Sequence, residues 1–266
     1  MPKASINGID LYYEVQGTGA PVLLIAGFTA DHMSWLLQVP AVAQEFQCIS
    51  YDNRGTGQST VPEGPYTIRQ MADDAVALLD HLGISKAHVV GHSMGGAIGQ
   101  ELAINYPDRV SSLLLLATWG KGDERSRRGL EVWKQCFLNL QLDDYMEYLF
   151  QYLFTHRMYD QPGAVDMVKM QMLANPYPTG QTGFLGQMAA CQAHDTLDRL
   201  GQIKAPTLVW AAAEDAILPP RFSKVLAERI PGAEYYESEG TGHMLNMEGF
   251  EATNAKLLEW LRGMSR

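Results

Sequence analysis

The chain has 266 residues, 46% of them apolar and 19% charged. That is enough to bury a full core as one domain carrying an insertion, and too apolar for extended disorder. The formal net charge of −10 argues against a nucleic-acid binder, which needs a basic footprint, and otherwise reads as ordinary solubility.

Two short strands open the chain, ASING and IDLYYEV, joined at Asn7-Gly8, a pair suited to the positive-φ positions of a type I′ hairpin. PVLLIAG (21–27), FQCISYD (46–52), AHVVGH (87–92), RVSSLLLLA (109–117), PTLVWAA (206–212) and AEYYES (233–238) follow as short, mostly apolar runs. Runs of that kind belong to a parallel sheet covered on both faces. Helical patterns alternate with them. TIRQMADDAVALLDHLG (67–83) puts Ile68, Met71, Ala75, Leu78, Leu79 and Leu82 on one side and stops at Gly83. GGAIGQELAINY ends before Pro107, and FEATNAKLLEWLRGM closes the chain with Leu257, Leu258 and Leu261 on one face. The alternation predicts an α/β fold with a mostly parallel central sheet flanked by helices. Residues 120–200 break it, with helical patterns and no convincing strand. The expected organisation is a core of residues 1–119 and 201–266, with 120–200 as a helical lid over the sheet's carboxyl edge.

The three cysteines, Cys48, Cys136 and Cys191, are widely spaced and unpaired in pattern. They predict neither a disulfide framework nor a zinc site. The opening segment lacks the pattern of a secretion signal, and no apolar run reaches the ~18 residues of a membrane helix. The expectation is a cytoplasmic protein with no membrane partner, and the oligomeric state stays open to a homo-oligomer.

The densest signal is VVGHSMGGAIGQ. Gly91, Gly95, Gly96 and Gly99 crowd around Ser93 where an apolar strand meets a helix. A sharp turn there pushes the serine into a strained conformation, and glycines two residues either side remove the collision this creates. The pattern is Gly91-His92-Ser93-Met94-Gly95, a nucleophile elbow that presents one hydroxyl at a helix amino terminus. A serine nucleophile needs a base, and the base an orienting carboxylate. Of seven histidines, His243 stands in the glycine-rich loop EGTGHMLNME after the last strand. His92 is expected to point away from the nucleophile, His81 and His88 to pack or face solvent, and His156 and His194 to lie on polar faces of the lid. Asp215, in WAAAEDAILPP, is the better acid than Glu214, a solvated loop residue. Ser93, Asp215 and His243 then fall in nucleophile–acid–base order. The N–H groups of Met94 and of Phe28, in the loop after the third strand, are the expected oxyanion donors.

With AGFTADHMSW, YDNRGTGQS, GHSMGGAIGQ, AAAEDAILPP and GTGHMLNME, the chain resembles the α/β-hydrolase family over nearly its full length. Within it, GPYTIRQMADDAVALLDHLGI is most similar to the branch of carboxylesterases, 3-oxoadipate enol-lactonases and non-haem haloperoxidases. The resemblance implies Ser93 as nucleophile, Asp215 as acid, His243 as base and the Phe28 and Met94 amides as oxyanion donors, with Arg54, Gly55 and Gly57 structural. Ala26-Gly27 stands where many relatives carry His-Gly. Ser93 argues against the aspartate-dependent epoxide hydrolases and dehalogenases of this fold, and the oxyanion loop against the meta-cleavage hydrolases.

The expected activity is hydrolysis of a small-molecule carboxylic ester through an acyl-enzyme, with no metal, nucleotide or organic cofactor. Lid aromatics (Trp133, Phe137, Tyr145, Tyr148, Phe150, Tyr152, Phe154, Tyr159, Tyr177, Phe184) and methionines (Met146, Met158, Met167, Met170, Met172, Met188) are expected partly to line an apolar pocket. Two alternatives stay open. One is an enol-lactonase-type lactonase with a cation reaching the nucleophile, although Lys121, Arg125, Arg127 and Arg128 read as a solvated helix start. The other is a slow-turnover ligand receptor on the same fold.

Overall fold

The computed structural model describes residues 2–265. Eight strands form one sheet: β1 Lys3–Ile6, β2 Ile9–Gln16, β3 Pro21–Ile25, β4 Gln47–Tyr51, β5 Ala87–His92, β6 Val110–Leu116, β7 Thr207–Ala212 and β8 Glu234–Ser238. Their spatial order is β1-β2-β4-β3-β5-β6-β7-β8. β2 runs antiparallel to β1 and β4, and every later pairing is parallel. Asn7 (φ 47°) and Gly8 (φ 76°) make the positive-φ turn of the first hairpin.

Alternate residues of the central strands face opposite ways, and each set has its own helical cover. Leu23, Ile25, Val89, Leu113, Leu115 and Val209 share a core with Met71, Leu78, Ile98, Leu102 and Leu226. The last five come from α2 Ile68–His81, α3 Met94–Asn105 and α9 Pro220–Arg229. On the other face Val22, Leu24, Val90, Leu114, Leu116, Leu208 and Trp210 meet Val39, Val42, Leu257 and Leu261 of α1 Val39–Val42 and α11 Phe250–Met264. Burial on both faces is why these strands read as continuous apolar runs. β8 departs from that pattern. It is an edge strand, and Tyr235 and Tyr236 stand exposed.

Local signals set the ends of α2: Thr67 Oγ1 accepts from the Gln70 amide at 3.0 Å, and Gly83 follows the last turn at φ 68°. Between β6 and β7 lie five helices, α4 Glu124–Asn139, α5 Leu142–Leu153, α6 His156–Tyr159, α7 Ala164–Leu173 and α8 Gln181–Ala193. A bridge between Lys121 and Asp195 joins the two ends of this insertion. It has a small core of its own, built on Tyr145, Met146, Leu149, Phe150, Phe154, Val168, Phe184 and Met188. A short helix, α10 Leu245–Glu248, completes the set. Among the described residues no helix is long and apolar enough to cross a membrane.

Candidate active site

Ser93 directly follows β5 and caps α3 with φ 54° and ψ −119°. A side-chain-bearing residue held there costs about 1–3 kcal/mol, so its surroundings must over-determine it. Its amide donates to the Leu116 carbonyl at 2.9 Å, and its carbonyl accepts from the Gly96 amide and from Thr118 Oγ1 at 2.7 Å. The turn leaves no room beside it. A Cβ on Gly91 would lie 2.3 Å from the Gly95 oxygen, and one on Gly95 only 2.0 Å from the Ile25 oxygen. Those two glycines therefore serve the presentation of one hydroxyl.

His243 Nδ1 lies 2.7 Å from Asp215 Oδ2, and its Nε2 lies 3.0 Å from Ser93 Oγ. A carboxylate can only accept, so Nδ1 carries the proton and Nε2 offers its lone pair to the serine hydroxyl. Asp215 is fixed in turn, because its Oδ1 accepts from the Ile217 and Leu218 amides at 2.8 Å each. All three side chains are buried. The structure thus brings together the three residues singled out in the sequence. Glu214 instead sits exposed beside Arg157 of α6. Arg54 holds Asp74 of α2 in a buried two-pronged pair at 2.6 and 2.7 Å, a structural clamp on the loop after β4.

Phe28 and Met94 flank Ser93. The Met94 amide opens α3, where first-turn N–H groups have no intrahelical acceptor. A Cβ on Gly27 would sit 3.3 Å from the Ser93 Cβ, so the backbone leading to Phe28 passes close to Ser93.

Sequence reading missed several residues around this centre. His92 does not simply point away. Its Nε2 donates to the His243 carbonyl at 2.9 Å, and the two rings stand 5.0 Å apart. Burial, followed by the nearby His243, pushes its pKa down to about 3, so it holds the His243 loop as a neutral donor. Buried Gln187 of α8 accepts from the Thr29 amide at 2.7 Å and donates to the Arg54 carbonyl at 2.9 Å. It joins the loop after β3 to the loop after β4. Glu248 accepts from the Gly242 amide and from the Thr155 amide and hydroxyl, linking the His243 loop to the end of α5. His194, expected on a polar face, is buried at the edge of Trp119, and burial lowers its pKa to about 4. His88 is also buried, its Nδ1 2.8 Å from Ser112 Oγ.

Two cavities share Ser93, Phe28, Trp133 and Leu149. One of about 310 Å³ runs beside α4, and one of about 540 Å³ runs beside the loop after β3, His243 and α7. Of the aromatic residues in the insertion, Trp133, Tyr148, Phe150, Tyr152, Phe154 and Tyr177 line them, while Phe137 and Phe184 stack on each other at 3.7 Å. Of its six methionines only Met172 lines a cavity. Met146 and Met188 are core residues, and Met167 and Met170 face solvent. Arg125 and Arg127 are exposed, as a solvated helix start should be, and also border the smaller cavity.

Among the described residues, Asp31, His32 and Asp52 are spaced as a metal could use them. Their oxygens already hold the loop: Asp52 accepts from His32 N, His32 Nδ1 and the Gln58 amide, and Asp31 from the Met33 amide and Asn175. Burial works against a charged His32, but the bond to Asp52 and its charge outweigh that and raise the pKa.

A mostly parallel eight-stranded sheet with a strained serine at its centre defines the α/β-hydrolase class. Residues 20–250 match the model of the alpha/beta hydrolase fold family, and the chain belongs to that family. It is 38% identical, over 97% of both chains, to the protein of Azorhizobium caulinodans named "Putative carbamate hydrolase RutD". Among solved structures it is similar to the enol-lactonase from Burkholderia xenovorans LB400, at TM-score 0.88 and 29% identity over 98% of this chain and all of that one. A thermophilic esterase from Thermogutta terrifontis gives TM-score 0.87 and 29% identity over 99% and 97% of the two chains. The protein is a hydrolase.

Proposed function

We propose that the protein hydrolyses the C(=O)–O bond of a small carboxylic ester through Ser93, His243 and Asp215. The observation carrying this reading is the unbroken chain of hydrogen bonds from Asp215 through His243 to Ser93 Oγ, which lies where two cavities meet. His243 Nε2 takes the hydroxyl proton as Oγ attacks the carbonyl carbon. Asp215 holds the imidazole in the required tautomer and stabilises its protonated form. The Phe28 and Met94 amides receive the developing oxyanion, and each such donor is worth roughly 2.7–4 kcal/mol. His243 then returns the proton to the leaving alcohol, giving an acyl-serine. Water, deprotonated by His243, attacks that ester, and the carboxylic acid leaves with Ser93 restored. No step calls for a cofactor.

The insertion acts in this reading as a lid, excluding water from the acyl-serine until the His243-bound one is in place. A cytoplasmic location fits the same picture. Carbamates are the second reading, favoured by the name of the Azorhizobium relative. The chemistry is the same up to a carbamoyl-serine, whose hydrolysis releases carbamic acid in place of a carboxylic acid.

Turnover of p-nitrophenyl acetate, butyrate and octanoate, of a p-nitrophenyl carbamate and of an enol-lactone would be compared in wild type and Ser93→Ala. Loss of about 10⁶-fold in kcat on substitution is expected. Carbamate or lactone turnover far above ester turnover would move the substrate class accordingly. If none is hydrolysed above the Ser93→Ala background, the ester-hydrolysis reading gives way to a slow-turnover ligand receptor on the same fold.

A further inference from the structure

Two cavities meet at Ser93, but His243 lines only one of them. The larger, of about 540 Å³, has His243, Met244 and Met247 in its wall, together with Thr29 and Ser34 of the loop after β3. The smaller, of about 310 Å³, runs from Ser93 between α4 and the loop after β7, past Phe28, Trp119, Leu130, Ile217 and Leu218.

That asymmetry bears on the two halves of an ester. In the serine-hydrolase reading the leaving oxygen takes its proton from His243 Nε2. It must therefore come within hydrogen-bond reach of that nitrogen, about 2.6–3.2 Å. The acyl carbon stays on Ser93 Oγ, and its chain needs no contact with the imidazole. An alcohol whose oxygen lies beside His243 extends into the cavity that His243 lines, and the acyl chain is left the smaller one. Water for the second half-reaction needs the same nitrogen, so it follows the departing alcohol. The larger cavity also carries the polar side chains of Thr29, Ser34, Gln58 and Asn175, which suit an alcohol and the water that replaces it.

We infer that the larger cavity is the leaving-group pocket and the smaller the acyl pocket, so that the preferred substrates are esters whose alcohol half is bulkier than their acyl half. Resting on the serine-hydrolase reading, this names the substrate class of that site. Two half-buried leucines of the insertion divide the selectivity between them. Leu130 of α4 lines only the smaller cavity and sets acyl length, and Leu153 of α5 lines only the larger and sets alcohol size.

The first test is a pair of reversed esters of identical composition, 2-(1-naphthyl)ethyl acetate and methyl 3-(1-naphthyl)propanoate. The acetate, bulky on its alcohol side, is expected to have the higher kcat/KM by about tenfold, the effect of a group that one pocket accepts and the other crowds. Equal rates or the opposite order overturn the inference. The second test uses Leu130→Trp and Leu153→Trp on two series, p-nitrophenyl acetate to octanoate and ethyl to octyl acetate. Leu130→Trp should steepen the fall of kcat/KM along the acyl series by about tenfold and leave the alkyl acetates in wild-type proportion. Leu153→Trp should do the reverse. Leu130→Ala and Leu153→Ala, which open the same walls, should shift the same series in the opposite direction. Each enzyme is its own reference, because a folding defect scales every member of a series alike. Deacylation separates the halves again, since the alcohol has gone by then. Leu153→Trp should keep the wild-type ratio of octanoyl- to acetyl-enzyme deacylation rates, and Leu130→Trp should change it. Effects that cross over, or that scale both series together, overturn the inference and leave the hydrolase reading intact. If wild type hydrolyses neither series above the Ser93→Ala background, the reading beneath it fails as well.

Discussion

All six residues of β5 and all six of β7 are buried, whereas none of the sixteen residues of α4 is. The strands carry Ser93 and lead into the Asp215 loop, and α4 walls the smaller cavity above them. The contrast separates two ways of holding a functional residue. The sheet edge is fixed by close packing, with the backbone of the turn in contact on every side. The insertion has a small core of its own, against which Phe28, Met244 and Met247 pack, and polar ties fix it to the site: Gln187 to Thr29 and Arg54, Met244 N to the Leu153 carbonyl at 3.1 Å, Thr155 to Glu248, and Asn175 to Asp31. Changes at the sheet edge should therefore act on chemistry or on global stability, and changes in the insertion on rate or selectivity with the fold intact.

The largest effect should come from the edge. Asp215→Asn keeps the hydrogen-bonding shape but pairs with the wrong imidazole tautomer, and kcat is expected to fall by about 10⁴ with KM little changed. A loss below tenfold would mean that His243 is held in place without the carboxylate.

The next test concerns acid stability. His194, buried and neutral with a pKa near 4, takes up a proton on unfolding once the pH falls below the ordinary value of about 6.5. Its folded pKa is depressed, so the stability it contributes is present above ~6.5 and is lost as pH falls toward 4. The slope is about 1.4 kcal/mol per pH unit. Denaturant titrations at pH 7, 6 and 5 should show a shallower decline for His194→Gln than for wild type by about that amount per unit. Parallel curves would place His194 in contact with water. His92, depressed further, should behave in the same way at the sheet edge.

Gln187→Leu tests the tie between insertion and site. The Thr29 amide and Arg54 carbonyl lose their partner, and the loop carrying Phe28 loosens. We expect kcat to drop by about tenfold, at nearly constant KM for a neutral ester, with less than about 2 kcal/mol lost in stability. A change confined to KM would mean that the loop serves substrate binding and not the oxyanion.

How much of this was legible in the sequence follows the same division. The elbow was readable because its constraints are local: Gly91 and Gly95 sit two residues from Ser93 and have no other use. Asp215 and His243 were readable from strand ends, since the carboxyl edge of a parallel sheet gathers its loops in one place. The partners of His92 and Gln187 lie 151 and 158 residues away, at His243 and Thr29, and nothing local marks that pairing. The insertion misled for another reason. Helical periodicity shows that Met167 and Met170 share a segment with buried Val168, but not which face meets the core, and both turned outward. Arg125 is exposed, as its charged helix start implied, and what a sequence cannot show is that it also borders a cavity.

The smallest expected effect probes where the two regions touch at the surface. Arg157 of α6 pairs with Glu214, the residue before Asp215, and both side chains stay substantially exposed, at 52% and 38%. An exposed pair in water contributes little, because solvent screens the charges and two long side chains must be held still. Arg157→Gln should therefore move the Tm by no more than about 2–4 °C and kcat/KM by less than about twofold. Asp215 has its own anchors in the Ile217 and Leu218 amides, which the substitution leaves untouched. If kcat instead fell tenfold, the acid loop would be held by the insertion and not by the sheet. The division between a packed edge and a tied cover would then fail at the residue next to Asp215.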